Sequence, residues 1–445
     1  MITHIRMKNF KSWKDSGEVE LAPLTGFFGT NSSGKSSLLQ MLLLLKQNVG
    51  HLKSREIREI IFFGDTNSLV NLGGFHEVIH GHEQEEQLKL EFGCKLKEPF
   101  KMPIYGMKAN GQFGDVLVLI DNFTFNTVIH EVGIDLLIDR FRYNFEACDI
   151  SEVEWVRGFL QHTDLLERQH SQQISGGNCY GGPYQGQPHH LLRSLSGAFE
   201  NLFSDIYYLG PTRVDPQRRY SWNGSHPKHI RQWGNQTIVA LLSARVRKLK
   251  TLHKAEELPI EERVSYWLQE MELAHSFSLD WVSQSSTEYE VRIQKSPESA
   301  PVTLVDVGYG LAQFLPVLVL CYYAPEESTL ILEQPGIHLH PKVQSQLADL
   351  IIEVITERNL QILIESHSEH LLNRLQRRIA EEKISVDKTA LYFCRNDEGV
   401  SAIERLKMDE FGNITNWPEN FFGDEMGDLF AMTKAQRERQ KKAEG

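Results

Sequence analysis

The chain has 445 residues, of which 41% are hydrophobic and 24% charged, enough for a sizeable core and for more than one structural unit. Its 47 basic against 59 acidic residues leave a net charge of −12, which excludes polyanion binding by bulk charge and leaves only local basic patches for that purpose. Cys94, Cys148, Cys179, Cys321 and Cys394 are scattered without a C-x-x-C spacing, the pattern of reduced thiols rather than of a disulfide frame or a zinc site. The longest apolar runs, MLLLL at 41–45 and FLPVLVLCYYA at 314–324, are shorter than the roughly 18–20 residues a bilayer helix needs. The opening MITHIRMKNFK has no signal-peptide apolar stretch, so a cytoplasmic protein without membrane contact is expected.

In chain order, ITHIRMKNFKSW alternates as a strand, and VELAPLTGFFG reads as a second strand running into FFGTNSSGKSSLLQ. SSLLQMLLLLKQ is a buried helix, and FHEVIHG and QLKLEFGCKL continue the β pattern to about residue 96. Beyond about residue 100, GDVLVLIDNFTFNTVI is strand-like, EWVRGFLQHTDLLERQH helical, and the Gly-rich 172–190 a surface loop. IYYLGPTR at 206–213 is a strand entering a Pro turn, and a lobe with RVSYWLQEM as helix and YEVRIQKS as strand leads to about residue 300. The closing third alternates TLILE, KVQSQLADLIIEVITER, LQILIES, HSEHLLNRLQRRIAEEK and TALYFCRN, strand and helix in turn, with TALYFCRN as the last strand. That alternation implies a covered, largely parallel sheet shared with the N-terminal loop and interrupted by the middle of the chain. The division expected is 1–96 and 301–400 as the two parts of one core, 97–300 as inserted lobes and the seat of recognition, and 401–445 as a short C-terminal domain with a basic tail.

Four motifs carry chemistry. Gly29-x-x-x-x-Gly34-Lys35-Ser36, between a strand and a helix, is a phosphate loop. Its glycines let backbone N–H groups close on phosphate oxygens at a helix N-terminus, Lys35 reaches the β- and γ-phosphates, and Ser36 ligates Mg²⁺. TLILEQPGIHLHP ends an apolar strand in Glu333, a carboxylate acceptor for magnesium's water shell, followed by Gln334, which orients water but accepts no proton. IESHSEH places His367 at another strand end, within reach of a γ-phosphate. The pairs His338/His340 and His367/His370 raise a zinc alternative, but no compact H-E-x-x-H supports it. Asp306-Val-Gly-Tyr-Gly opens an apolar helix, alone a weak signal.

In this order the motifs resemble the ABC-type ATPase heads of the SMC/RecF/OLD branch, whose first strand carries the pattern seen here as NFKSW. EQPGIHLHP, ESHSEHLL and EFGNITNWPENFFGDEMGDLFAM are similar to a bacterial AAA-type ATPase family with a short C-terminal domain of unknown function. The resemblance implies an ABC-ATPase-like α/β P-loop fold, a mixed, largely parallel sheet with an inserted α+β lobe, and ATP and Mg²⁺ as cofactors. It makes Gly29, Thr30, Asn31, Ser32, Ser33, Gly34, Lys35, Ser36 and Ser37 the Walker A loop, Glu333 and Gln334 the Walker B pair, and His367 the switch histidine. Gly308, Tyr309, Gly310 and Gln313 fall in the signature segment, which in such heads binds the γ-phosphate of a second subunit, so a head-to-tail homodimer enclosing two ATPs is implied. Three departures matter: Glu333 stands for the usual Asp, Gln334 for the usual catalytic Glu, and Gly308 for the signature Ser. They point to slow or partner-dependent ATP hydrolysis.

The leading function is thus an ATP-gated dimeric switch acting on a separately encoded effector protein or on nucleic acid, with anti-phage defence implied by relatives of this branch. A self-sufficient nuclease would need a Glu plus D-x-D metal cluster after the core, and the roughly 60 residues after 385 are too few for that domain. DNA binding finds support only in QRRI and in the tail, where Lys434, Arg437, Arg439, Lys441 and Lys442 outnumber Glu438 and Glu444. Phe203, Tyr207, Tyr208, Trp222 and Trp233 are either a partner surface or core.

Overall fold

The computed structural model describes residues 1–49, 62–82, 87–107, 113–130, 133–144, 200–283, 287–418, 421, 431–436 and 439. The helix expected over 154–170, the loop 172–190 and most of the basic tail lie outside the described residues.

The alternating start of the chain forms β1 (Ile2–Phe10), with Ile2, Ile5, Met7 and Phe10 buried. It pairs antiparallel with β2 (Trp13–Asp15) and β3 (Val19–Glu20). VELAPLTGFFG, expected as one strand, is two: β3 ends before Pro23, and β4 (Leu24–Gly29) enters a different sheet. Proline has no N–H for a ladder, and here it marks the crossing between sheets. The helix α1 (Lys35–Asn48) follows, with leucines buried along most of its length. FHEVIHG, expected as strand, instead turns into the short helix α2 (Phe75–Val78), where the Glu77 carboxylate accepts the Gly74 N–H as an N-terminal cap. β5 (Leu88–Met107), β6 (Phe113–His130) and β7 (Gly133–Asn144) extend the β1 sheet antiparallel, so β5 runs through the division expected at residue 96.

β8 (Ile206–Leu209) precedes an α+β lobe: β9 (Tyr220–Ser221), α3 (Thr237–Arg247), β10 (Lys250–His253), β11 (Glu256–Pro259), α4 (Ile260–Glu270), β12 (Ser276–Trp281), β13 (Glu288–Gln294) and β14 (Val302–Thr303). The last third runs α5 (Tyr309–Tyr323), β15 (Thr329–Glu333), α6 (Pro341–Arg358), β16 (Gln361–Glu365), α7 (Glu369–Ala380), β17 (Thr389–Asp397) and β18 (Val400–Arg405). TALYFCRN is therefore not the last strand: Glu398-Gly399, both at positive φ, turn the chain back into antiparallel β18.

The central sheet has the order β18-β17-β4-β16-β15-β8, parallel throughout except for the β17–β18 pair. The N-terminal loop strand and the late strands thus share one sheet, as expected, and IYYL at 206–209 joins it as an edge strand. Successive side chains of these strands enter opposite layers. Leu24, Phe28, Leu330, Leu332, Ile362 and Ile364 pack with α3–α7, and Phe27, Ile331 and Leu363 pack with α1 and the N-terminal sheet. Burial on both faces explains the continuous apolar runs TLILE and QILIE. Both strands end, in register, on a carboxylate at the same edge as the loop after β4.

Candidate nucleotide site

The loop between β4 and α1 is held by contacts that only glycine permits. Gly29 has φ 133°, and a Cβ there would lie 2.0 Å from the Cys394 carbonyl oxygen. Gly34, at φ 87°, would place a Cβ 2.7 Å from Trp13 Nε1, which donates to the Gly34 carbonyl at 3.0 Å. β17 and the β1–β2 turn therefore press the loop into shape, with N–H groups of the α1 N-terminus available to an anion. Thr30, Asn31 and Ser32 are exposed, whereas Ser33 and Ser37 are buried. Ser33 donates to the Thr30 carbonyl at 2.8 Å. Lys35 is buried under the loop and donates to the carbonyls of Thr30 at 2.6 Å and Gly29 at 3.3 Å. Burial lowers its pKa from the usual lysine range, with Glu365 opposing the shift.

A cleft of about 460 Å³ is lined by residues 31–37 and by Lys11, Ser12, Glu365 and His367. His367 hydrogen-bonds to the Gly29 backbone, and burial and Lys35 hold its pKa below the usual histidine value. The structure thus brings Lys35, Ser36 and His367 together around one space.

Glu333 does not line that cleft. It is buried behind it, accepts the Tyr208 hydroxyl at 3.0 Å, and has its pKa raised to about 7 by burial and by the Glu365 charge. The carboxylate that meets the Ser36 hydroxyl is Glu365, which also accepts the Gln334 side chain. Glu333 and Glu365 are register partners on β15 and β16. A buried Glu365 oxygen, Oε2, has no hydrogen-bond partner, and burial raises the pKa of this group as well. Glu365, a buried carboxylate beside the Ser36 hydroxyl with an orphaned oxygen, fits a divalent cation such as Mg²⁺. Glu333, expected to share that site with Ser36, is set back from the cleft and would reach such an ion through its water shell.

Gln334 sits at φ 47° and donates its N–H to the Glu365 carbonyl at 2.9 Å. Arg213 of the GPTR turn is buried and donates to the carbonyls of Gln313 (3.2 Å), Glu333 (3.1 Å) and Gln334 (3.3 Å). It joins the turn after β8 to both the strand-end acid and helix α5.

The signature segment stands apart from the cleft. Gly308 has open space around it, Tyr309 is exposed, and Gly310 packs so closely that a Cβ would lie 2.6 Å from the His338 carbonyl oxygen. Gln313 corrects its expected role: it is 2% exposed, with its amide turned to the Val214 carbonyl, so it is a packing residue rather than a surface group for a second copy. Among the described residues, the groups of three or more His, Cys, Asp or Glu close enough to share an ion contain none of His338, His340, His367 and His370. His340 instead caps α6 through Nδ1, and His338 packs edge-on against Tyr309 at 5.1 Å.

Sequence reasoning missed Glu365, Lys11, Tyr208 and Arg213 as members of this site. QILIE carried the signal for Glu365, since it ends on an acid just as TLILE does. Lys11, from NFKSW, donates to Gln40 at 2.6 Å and feels the Glu333 charge.

The C-terminal segment anchors behind the loop strand: Phe421 packs against Phe28, Phe393 and Trp417 with ring centroids 6.3, 4.8 and 5.2 Å away. Of the tail cations, Lys434 and Arg439 are described and Arg437, Lys441 and Lys442 are not. No helix among the described residues is long and apolar enough to cross a membrane.

Three protein-family models match successive parts of the chain. Residues 1–129 match "AAA ATPase domain", 199–373 match "AAA domain, putative AbiEii toxin, Type IV TA system", and 384–432 match "Protein of unknown function (DUF3696)". No curated protein sequence matches. Similar solved structures include an SMC head bound to the C-terminal winged-helix domain of ScpA, at 11% identity and TM-score 0.46, covering 92% of this chain and 98% of the other. An SMC head from Pyrococcus furiosus, with an extended coiled coil and bound to the ScpA C-terminal domain, gives 11%, 0.43, 91% and 96%, and the Thermotoga maritima SMC head 12%, 0.40, 92% and 99%. The two ATPase-domain matches, laid over a strand–phosphate loop–helix and a largely parallel sheet, support an ATP-binding ATPase domain with a DUF3696 segment after it.

Proposed function

We propose that this ATPase head works as a switch that closes on ATP as a homodimer and hydrolyses it slowly. The observation that carries the reading is Gln334: it stands after the strand-end acid, tied to Glu365 through its backbone and side chain, at the place where a hydrolytic carboxylate would be expected. An amide there orients water without taking its proton, so ATP would hold the closed state for longer than chemistry alone requires.

In mechanism, the loop N–H groups and Lys35 would bind the phosphates, and Ser36 and Glu365, with Glu333 behind them, would hold Mg²⁺, which would supply charge neutralisation. His367, fixed by its Gly29 contact, would position the γ-phosphate and the attacking water. Glu365 is the carboxylate nearest the work and fixes Gln334. The exposed Gly308 and Tyr309 at the start of α5 offer backbone N–H groups to a nucleotide held by a second copy.

The switch would act on an effector protein. The family description matched by 199–373 names a toxin–antitoxin system, which favours a role in bacterial defence. DNA as the controlled partner is the second reading; binding that is lost as salt rises would favour it.

Phosphate release by the purified protein with Mg²⁺–ATP tests the chemistry. Slow turnover abolished by Lys35→Ala and accelerated by Gln334→Glu is expected. Fast wild-type turnover unaffected by Gln334→Glu would sink the slow-switch reading. Sedimentation with Mg²⁺–ATP tests closure: a monomer under every nucleotide condition in the Gln334 wild type would remove the dimer from the proposal.

A further inference from the structure

Tyr208, whose hydroxyl serves Glu333, also lines a second cleft, of about 690 Å³, separate from the phosphate loop. Its walls carry Lys46 from the last turn of α1 and His226, Lys228, His229, Arg231 and Trp233 from the segment before α3. Among the described residues, no aspartate or glutamate lines it. Asp205 acts on Lys46 and His229 from outside the lining. In a chain of net charge −12 such a concentration of cations is contrary to the average.

Lys46, Lys228 and Arg231 are the cations of the cleft. Burial and Lys228 push Lys46 down to about 8, and burial, Lys46 and Lys228 hold His229 down to about 4, as a neutral ring. Like charges gathered in a partly buried space cost stability, and an anion between them relieves that cost. Lys46 uses one of its three N–H donors on the Phe203 carbonyl at 2.7 Å, which fixes the ammonium at the wall.

The opposite wall is built. The Gln232 carbonyl accepts from Gly210 at 2.8 Å, the Trp233 carbonyl accepts from Val214 at 3.0 Å, and the Gln232 amide donates to the Ser68 carbonyl at 2.6 Å. Arg231 is held at φ 60° in the turn closed by the Gly234 N–H, with its side chain exposed. A bare phosphate would fill a small part of this space. The half-buried Trp233 ring supplies a flat face on which a base can stack, and Gln47 and Gln236 supply amide edges.

We propose that this cleft binds a phosphorylated nucleoside, free or at the end of a nucleic-acid strand, with phosphate on Lys46, Lys228 and Arg231 and the base against Trp233. The site is independent of the ATP site and does not depend on the switch reading.

The probe is a fluorescein-labelled, 5′-phosphorylated octathymidylate, followed by anisotropy in the full chain and in Lys35→Ala, which disables the phosphate loop. Saturable binding that Lys35→Ala leaves in place is expected. Lys228→Glu with Arg231→Glu should weaken it by about tenfold or more, and Trp233→Ala by about tenfold. Because Lys228 and Arg231 are exposed, the charge-reversed variant should keep the wild-type melting temperature, and Lys228→Gln with Arg231→Gln provides a milder check. Competition by dTMP assigns a free nucleotide as ligand, and competition only by unlabelled oligonucleotide assigns a strand end; either supports the site. Three results would overturn it: no binding, binding indifferent to charge reversal, or displacement by inorganic phosphate or polyglutamate as effective as by the nucleotide probes.

Discussion

Glu333 and Glu365 end two neighbouring parallel strands in register, so two buried carboxylates stand side by side, one served by the Tyr208 hydroxyl and the other by Ser36. Neither is easily ionised in that company. The Glu333 value rises from 4.5 to about 7, chiefly through burial and secondly through Glu365. Water, or a divalent cation, must make up what the fold has taken away.

The first prediction concerns stability. With its folded value above its unfolded one, Glu333 contributes stability that is complete below about 4.5 and is lost as pH rises through about 7. At pH 8 the ion costs on the order of 3 kcal/mol, by about 1.4 kcal/mol per unit. Glu333→Gln should therefore stabilise the nucleotide-free protein at pH 8, by roughly 1–3 kcal/mol, and make little difference at pH 4.5. Urea unfolding at the two pH values measures it. Equal effects at both would place the ion elsewhere. The same variant should release no phosphate from ATP.

The same pair makes magnesium a competitor of protons. Mg²⁺-dependent ATP binding should weaken as pH falls below about 7, by up to about tenfold per unit for each proton displaced. Glu365→Gln should weaken binding of Mg²⁺–ATP while sparing nucleotide binding in EDTA. Tyr208→Phe removes the hydrogen bond that lowers the Glu333 value and should move the pH dependence upward. Calorimetric titrations between pH 6 and 8 report all three. A pH-independent affinity would remove the carboxylate pair from the metal site.

How much of this was legible follows from what each residue's role depends on. Gly29, Gly34 and Lys35 are local: strand, tight turn and helix occur within one contiguous stretch, and their geometry is dictated by backbone conformation. TLILE and QILIE announce a doubly covered sheet because all their residues are buried. What escaped was pairing at a distance. That Glu365 lies beside Glu333, and that Tyr208 and Arg213 reach over from 125 and 120 residues away, depends on sheet order, which no local pattern encodes. FHEVIHG misled for another reason, since one turn of helix needs only the Gly74–Glu77 cap and carries too few residues to show a period.

Gly34 carries a prediction of its own. At φ 87° alanine is strained, and its methyl would collide with Trp13 and Ser401. Gly34→Ala should cost about 1–3 kcal/mol and abolish ATP binding, because relief requires the loop to move off the β1–β2 turn. Trp13→Phe opens the space but loses the indole bond to the Gly34 carbonyl, and should cost about 1 kcal/mol with weakened rather than absent binding. Thermal melts and a fluorescent ATP analogue separate the two.

Arg213 offers the most demanding test of how the site is assembled. Its guanidinium is buried, held down to about 10 by desolvation, and so remains charged across the whole working range. It serves three carbonyls at once, those of Gln313, Glu333 and Gln334, and thereby fixes the residue at φ 47° whose amide faces Glu365. Arg213→Ala leaves those acceptors buried and should cost about 3–5 kcal/mol. Arg213→Lys keeps the charge but cannot span the carbonyls of two chain segments with one planar fork, so it should recover only part of the stability. Stability alone would not single out the site. In the Gln334→Glu background, where hydrolysis is expected to be fast, Arg213→Lys should lower the turnover number more than it raises KM, since phosphate contacts are untouched while the carboxylate drifts. A rise in KM with unchanged turnover would mean that Arg213 supports nucleotide binding and not the position of residue 334.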